Sequence, residues 1–118
     1  ELIDNKKLLE AANLANIMDF VSSLPDGLDT FVGERGIQLS GGQIQRIGIA
    51  RALYNDPKIL IFDESTSSLD LKTEQEVLNT ISKFKDNKTV IIISHRPQSL
   101  SFCDKIFDLQ EEIGRTRR

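Results

Sequence analysis

The sequence predicts an α/β fold: a parallel-sheet βαβ core preceded by a mainly helical segment. Three observations carry that reading. Two short, continuous apolar runs, "KILIFDES" from Lys58 and "TVIIISH" from Thr89, have the length and branched-residue content of strands buried on both faces of a parallel sheet. Between them, "SLDLKTEQEVLNTISKF" places Val77, Ile81 and Phe84 on one helical face. Strand, helix and strand in that order form a right-handed crossover, which leaves the two strands parallel.

The elements follow in chain order. "DNKKLLEAANLANIMDFVSSL" reads as one helix with Asp4 as its N-cap, and Ile17, Phe20, Val21 and Leu24 fall at i, i+3, i+4 and i+7. That stripe is core or interface. "PDG" at Pro25–Gly27 is a turn, and "LDTFVGERGIQ" is a loop punctuated by Gly33 and Gly36. A further helix starts at Ser40 and runs to about Asn55, where Asp56–Pro57 ends it. After the first strand, Asp70 caps the crossover helix, and "DNK" turns the chain into the second strand. "DKIFDL" reads as a weaker third strand, and the terminal "RTRR" as a solvated tail. The natural division is therefore residues 1–56, mainly helical, and residues 57–118, built on the sheet.

Composition narrows the function classes. A chain of 118 residues with 39% hydrophobic and 28% charged residues is one small globular domain or a piece of one. A net charge of −3 argues against binding nucleic acid or a membrane surface through bulk charge. The single cysteine, Cys103, excludes an internal disulfide, fits a reducing compartment and reads as a buried small apolar residue. No apolar run approaches the ~18 residues a membrane helix needs.

Parallel strands put their carboxyl ends on one edge of the sheet. Asp63 and Glu64 end the first strand and His95 ends the second, so two acids and a histidine converge where ligands bind in open α/β sheets. Each has a plainer alternative, since acids after a strand often cap the next helix and a lone histidine is often structural. An Asp at a strand end suits Mg²⁺, a hard ion that takes carboxylate, water and phosphate oxygens. In an extended chain the next residue points to the opposite face, so the acid pair can divide metal and water duties.

"LSGGQIQRIGIARAL" raises a separate question. Ser40 and Gln43 match the capping box that marks a helix start, but that does not account for two glycines between them. Glycine is costly in a helix, by roughly 1 kcal/mol in the interior and less at the first turn. Two of them bare the N–H groups at the positive end of the helix dipole, leaving room for a phosphate at the backbone.

Taken together, "LSGGQ" (Leu39–Gln43), "IARAL" (Ile49–Leu53), "ILIFDES" (Ile59–Ser65), "SSLD" (Ser67–Asp70) and "ISHR" (Ile93–Arg96) resemble an ABC-type ATPase, in the family's order and across nearly the whole chain. "VGERGIQLSGGQ" is similar to its transporter branch, particularly exporters. The resemblance implies the C-terminal half of a P-loop NTPase nucleotide-binding domain: a helical subdomain with the signature motif over 1–56, then part of the ATPase core over 57–118. It implies ATP and Mg²⁺ as cofactors. Leu39, Ser40, Gly41, Gly42 and Gln43 would form the signature loop. Ile59–Asp63 would be the Walker B strand with Asp63 on the magnesium shell. Glu64 would be the general base, Ser67–Asp70 the D-loop with Asp70 on the nucleotide side, and His95 the switch histidine sensing the γ-phosphate. The implied partners are a second nucleotide-binding domain in a head-to-tail dimer and a transmembrane domain, with no nucleic acid, at the cytoplasmic face of the cell membrane.

The chain also departs from the family pattern. It contains no Gly-Lys dipeptide, so the Walker A loop, which needs Gly-x₄-Gly-Lys-Ser/Thr, would lie upstream of Glu1. Phe31 stands where exporters often carry an acid, and "QEEIGRTRR" does not resemble the glycine-containing turn and strand expected after "FDL". The function implied is ATP hydrolysis powering export. The alternatives are a non-transport ABC ATPase of the chromosome-maintenance or DNA-repair type and an inactive gene fragment.

Overall fold

The computed structural model describes residues 2–110. The "RTRR" tail and most of "QEEIGRTRR" lie outside the described residues. The order of elements is α1 (Asn5–Leu14), α2 (Met18–Ser23), a 3₁₀ turn (Gly27–Asp29), α3 (Gly41–Leu53), β1 (Ile59–Asp63), α4 (Leu71–Ser82), β2 (Thr89–Ile93) and a second 3₁₀ turn (Pro97–Leu100). β1 and β2 pair in parallel, with Ile59 opposite Thr89 and Asp63 opposite Ile93. The fold is thus α/β, and α4 is the crossover.

The first helical segment is two helices, not one. α1 starts on Asp4, whose carboxylate accepts from the Lys6 and Lys7 N–H groups. It ends in a Schellman turn: Asn16 N–H donates to Asn13 O, Ile17 N–H donates to Ala12 O, and Asn16 takes φ of +56°. Asparagine tolerates that left-handed position better than most residues. Ile17, just beyond it, is 3% exposed and supplies the apolar contact that usually accompanies the motif. Periodicity alone ran through the break because Ile17 stays on the buried side.

The core lies between the helices and one face of the sheet. Val77, Ile81 and Phe84 are all buried, as their spacing predicted, against Leu60 and Phe62 from β1 and Ile49 and Leu53 from α3. Burying a side chain of that size contributes about 1.5–3 kcal/mol before chain entropy is counted. The expectation that both strands are covered on two faces is corrected. Ile59, Ile61, Ile91 and Ile93 are 58%, 64%, 45% and 48% exposed, so among the described residues only one face of the sheet is packed. The apolar runs are continuous because both faces are apolar, and only the Leu60–Phe62 and Val90–Ile92 face meets helices here.

Two further expectations change. "DKIFDL" forms no strand; Ile106, Phe107 and Leu109 are 63%, 76% and 72% exposed. Cys103 is half-buried, not enclosed, although burial and the charge of Asp104 push its thiol pKa up. At the opposite edge, Lys88 Nζ donates to Asp56 Oδ1 (2.5 Å) and Pro57 O (2.7 Å), tying the entries of β1 and β2 together.

Ile81→Ala removes a side chain 1% exposed and should lower unfolding free energy by about 2–5 kcal/mol in urea titration. Gln75→Ala, on the solvent side of the same helix, should change it by less than about 0.5 kcal/mol.

Candidate functional site

The parallel register brings the strand-end residues together. Glu64 N–H donates to Ile93 O at 2.8 Å, continuing the ladder one residue past β1. Glu64 itself has φ of +49°, so the chain leaves the strand in the left-handed region. The extended exit expected from sequence, with Asp63 and Glu64 on opposite faces, is therefore corrected. A non-glycine residue held there is strained, and the surrounding bonds must hold it. The turn brings the Glu64 carboxylate to His95: Oε1 is 2.5 Å from Nε2. The pair is open, with the His95 side chain 89% exposed and that of Glu64 42%. Asp63, beside it, is exposed, and its carboxylate has no hydrogen-bond partner among the described residues. Asp63, Glu64 and His95 thus share one edge. That edge offers a free hard-oxygen ligand and a carboxylate paired with an imidazole. The described residues hold no cluster of three or more metal-binding side chains, so a cation at Asp63 would need other oxygens to complete its shell.

The Leu39–Gln43 loop enters α3 through the capping box. Ser40 Oγ accepts from Gln43 N–H (3.2 Å), and Ser40 N–H donates to Gln43 Oε1 (2.8 Å). Ser40 and Gly41 are exposed, Leu39 and Gln43 half-buried, and Gly42 buried. The glycines acquire a packing reason beyond backbone access. A Cβ on Gly41 would lie 2.8 Å from Leu69 Cδ2, and one on Gly42 would lie 2.4 Å from Thr73 Cγ2. Thr73 fills the space that Gly42 vacates. Thr73 is fixed in turn by Asp70, whose carboxylate caps α4: Thr73 N–H donates at 3.0 Å and Thr73 Oγ1 at 2.7 Å. Those two bonds hold the Asp70 carboxyl below its ordinary pKa. Asp70 therefore acts first as a cap, and the glycine loop rests against the segment that follows β1.

One group escaped the sequence reading. Glu74, on α4, is 2% exposed. Its Oε1 accepts from Thr66 Oγ1 (3.0 Å) and Ser99 Oγ (2.8 Å), and its Oε2 from Arg96 (2.9 Å). Arg96 also donates to Ser67 O at 2.6 Å. Burial pushes the Glu74 pKa up, but the bonds from Ser99, Thr66 and Arg96 outweigh it, and the net shift is downward. No sequence motif announces this cluster, because its members lie on four separate segments. The available signal was Arg96 directly after the histidine.

A cavity lies elsewhere. About 590 Å³ is lined by Asn16, Asp56, Lys58, Lys83 and Lys88, at the opposite edge of the sheet from Glu64 and His95.

Comparison with known proteins agrees with the α/β fold. A family model described as ABC transporter matches residues 3–67, more than half of the chain. The chain is 49% identical over 106 residues to the alpha-hemolysin translocation ATP-binding protein HlyB of Proteus vulgaris, covering 90% of this chain and 15% of that protein. It is 46% identical over 109 residues to the ATP-dependent lipid A-core flippase of Coxiella burnetii, covering 92% and 18%. It is 47% identical over 105 residues to multidrug resistance protein 1 of Entamoeba histolytica, covering 89% and 8%. A bacterial Atm1-family ABC exporter solved with ATP bound superposes with a TM-score of 0.68 at 45% identity, covering 84% of this chain and 17% of that one. The chain thus spans less than a fifth of the length of these relatives. Among the described residues, no helix is long and apolar enough to cross a membrane.

Two outcomes follow from this geometry. Gly42→Ala should destabilise the fold by about 1–3 kcal/mol through overpacking against Thr73. Thr73→Ser removes the obstructing methyl, so a double-mutant cycle should recover much of that loss. For pH, the lowered Glu74 pKa means that near the ordinary value of 4.5 the unfolded chain binds more protons than the folded one. The stabilisation is complete above that value and is lost as pH falls towards the folded pKa. Glu74→Gln should therefore unfold more readily at pH 7, and its deficit should shrink below about pH 4 in denaturation titrations.

Proposed function

The chain belongs to the ABC transporter family, and from that premise we propose that it forms the signature and Walker B part of an ATP-binding domain that powers export across a membrane. The observation that carries the reading is the Glu64–His95 pair, 2.5 Å apart and solvent-open, beside the free carboxylate of Asp63. In this reading Glu64 takes the proton from the attacking water. His95 orients that carboxylate and faces the γ-phosphate. Asp63 is the residue that would hold Mg²⁺, through one carboxylate oxygen of the kind this hard ion prefers. Held there, the ion would supply neutralisation of phosphate charge, while this chain's residues contribute mainly positioning. Ser40 and Gly41, exposed at the N-terminus of α3, offer a hydroxyl and backbone N–H groups to a phosphate presented by a second nucleotide-binding domain, head to tail.

The relatives named as translocation, flippase and resistance proteins support an export role over chromosome maintenance or repair. A transmembrane domain would then hold this domain at the cytoplasmic face of the membrane.

In the full-length protein carrying this chain, Glu64→Gln should lower ATP turnover by about 10²–10⁴ while ATP still binds. Asp63→Asn should weaken Mg²⁺-dependent nucleotide binding as well. Phosphate-release assays beside equilibrium binding of labelled ATP separate the two. Turnover near the parental rate in Glu64→Gln would rule out Glu64 as the base, and a parental protein without ATPase activity would point to an inactive fragment.

A further inference from the structure

Glu64 sits in a strained backbone conformation, and its catalytic use requires that conformation to persist. The turn after β1 supplies part of the restraint, since Ser67 N–H donates to Glu64 O at 3.2 Å and Leu69 N–H to Thr66 O at 3.1 Å. Those bonds hold the turn to itself. They do not fix it to the loop that carries His95. Among the described residues, only the Glu64 N–H to Ile93 O bond and the Glu64–His95 contact otherwise join the two loops directly.

Arg96 closes that gap. Its guanidinium reaches Ser67 O at 2.6 Å, three residues past Glu64, and Glu74 Oε2 at 2.9 Å. Its own backbone N–H donates to Ser94 Oγ at 3.0 Å, on the other side of His95. Glu74 is the fixed point: it is fully buried on α4, and its second oxygen is held by Thr66 and Ser99. The β1 turn, α4, the His95 loop and the following 3₁₀ turn therefore meet at one carboxylate. A buried ion pair is a poor source of stability, because desolvation offsets much of its attraction. It does specify geometry.

Resting on the assignment of Glu64 as base, we propose that Arg96 is a positioning residue for ATP hydrolysis: anchored on Glu74, it clamps the Glu64 turn to the His95 loop and sets the Glu64–His95 geometry. Arginine suits this task because its planar fork donates in two directions at once, which a lysine point charge does not reproduce. Arg96 is not expected to touch nucleotide, so its loss should act on the chemical step and leave ground-state binding alone.

The test uses the full-length protein carrying this chain. Arg96→Met with Glu74→Leu removes both charges together and avoids stranding a buried carboxylate. Its melting temperature should fall, because the buried hydroxyls of Thr66 and Ser99 lose their acceptor. Well below that temperature, the folded protein should show kcat down about ten- to a hundredfold, the scale expected for ångström-level misplacement, and KM for ATP unchanged. Arg96→Lys keeps the charge on Glu74 but loses the second arm, and it should show the same split more weakly. This variant decides the question if the double variant does not fold. Parental kcat in Arg96→Lys or in a folded double variant overturns the proposal, and so does a raised KM at unchanged kcat. Glu64→Gln is measured in parallel. If it turns over ATP at the parental rate, the base assignment falls and this inference with it. If it is inactive while Arg96→Lys is parental, this inference alone fails.

Discussion

The parallel pairing of β1 with β2 is the constraint on which the site depends. With Asp63 opposite Ile93, the chain leaves both strands at one edge and at nearly one level. The bond from Glu64 N–H to Ile93 O extends that registry one step past the strand. A one-residue slip would turn every strand side chain to the other face, moving Leu60 and Phe62 out of the core. The core and the site are therefore specified by the same alignment. The crossover helix supports it, because Val77, Ile81 and Phe84 pack with Leu60 and Phe62 on the face that this alignment turns inward.

A second layer of order surrounds that edge. The capping box of α3, the Asp70 cap of α4 and the Glu74 cluster are all polar devices, and each ends or begins a segment near the site. Apolar packing locates helices to within a turn, whereas a charge-assisted hydrogen bond has directional demands on both partners. Gly41 and Gly42 join the two layers. They keep the N-terminus of α3 free of side chains, and they let Leu69 and Thr73 come close. A larger residue at Gly42 would disturb both, so its identity is over-determined within this chain before any nucleotide is considered.

The sheet presents one dressed face and one bare one. Ile59, Ile61, Ile91 and Ile93 form a contiguous apolar surface of a kind that soluble domains rarely leave open. The relatives are more than five times longer than the part matched here, and in the Atm1-family exporter the superposed region is 17% of the chain. The strand-end edge has the same half-dressed quality: the carboxylate of Asp63 is exposed and the Glu64–His95 pair is open to solvent.

Much of this was legible in the residues themselves. Local signals with short range were read correctly: the caps at Asp4, Ser40 and Asp70, the α4 stripe, and the two parallel strands, because helix and strand periodicity and side-chain capping act over a few neighbouring residues. The convergence of Asp63, Glu64 and His95 was also legible, since parallel strands end at the same edge of the sheet. Four matters were decided only in three dimensions. Asn16 broke the first helix through a left-handed turn that periodicity cannot see. "DKIFDL" has no strand to pair with among the described residues, and a strand exists only by pairing. Glu64 turned into the left-handed region because its backbone bond to β2 and the turn behind it required that direction. Glu74 became a buried anchor because Thr66, Arg96 and Ser99, 8, 22 and 25 residues away, happen to surround it. A charged side chain on a helix reads as solvent-facing until its distant partners are known, and only the folded chain brings those partners within hydrogen-bonding reach.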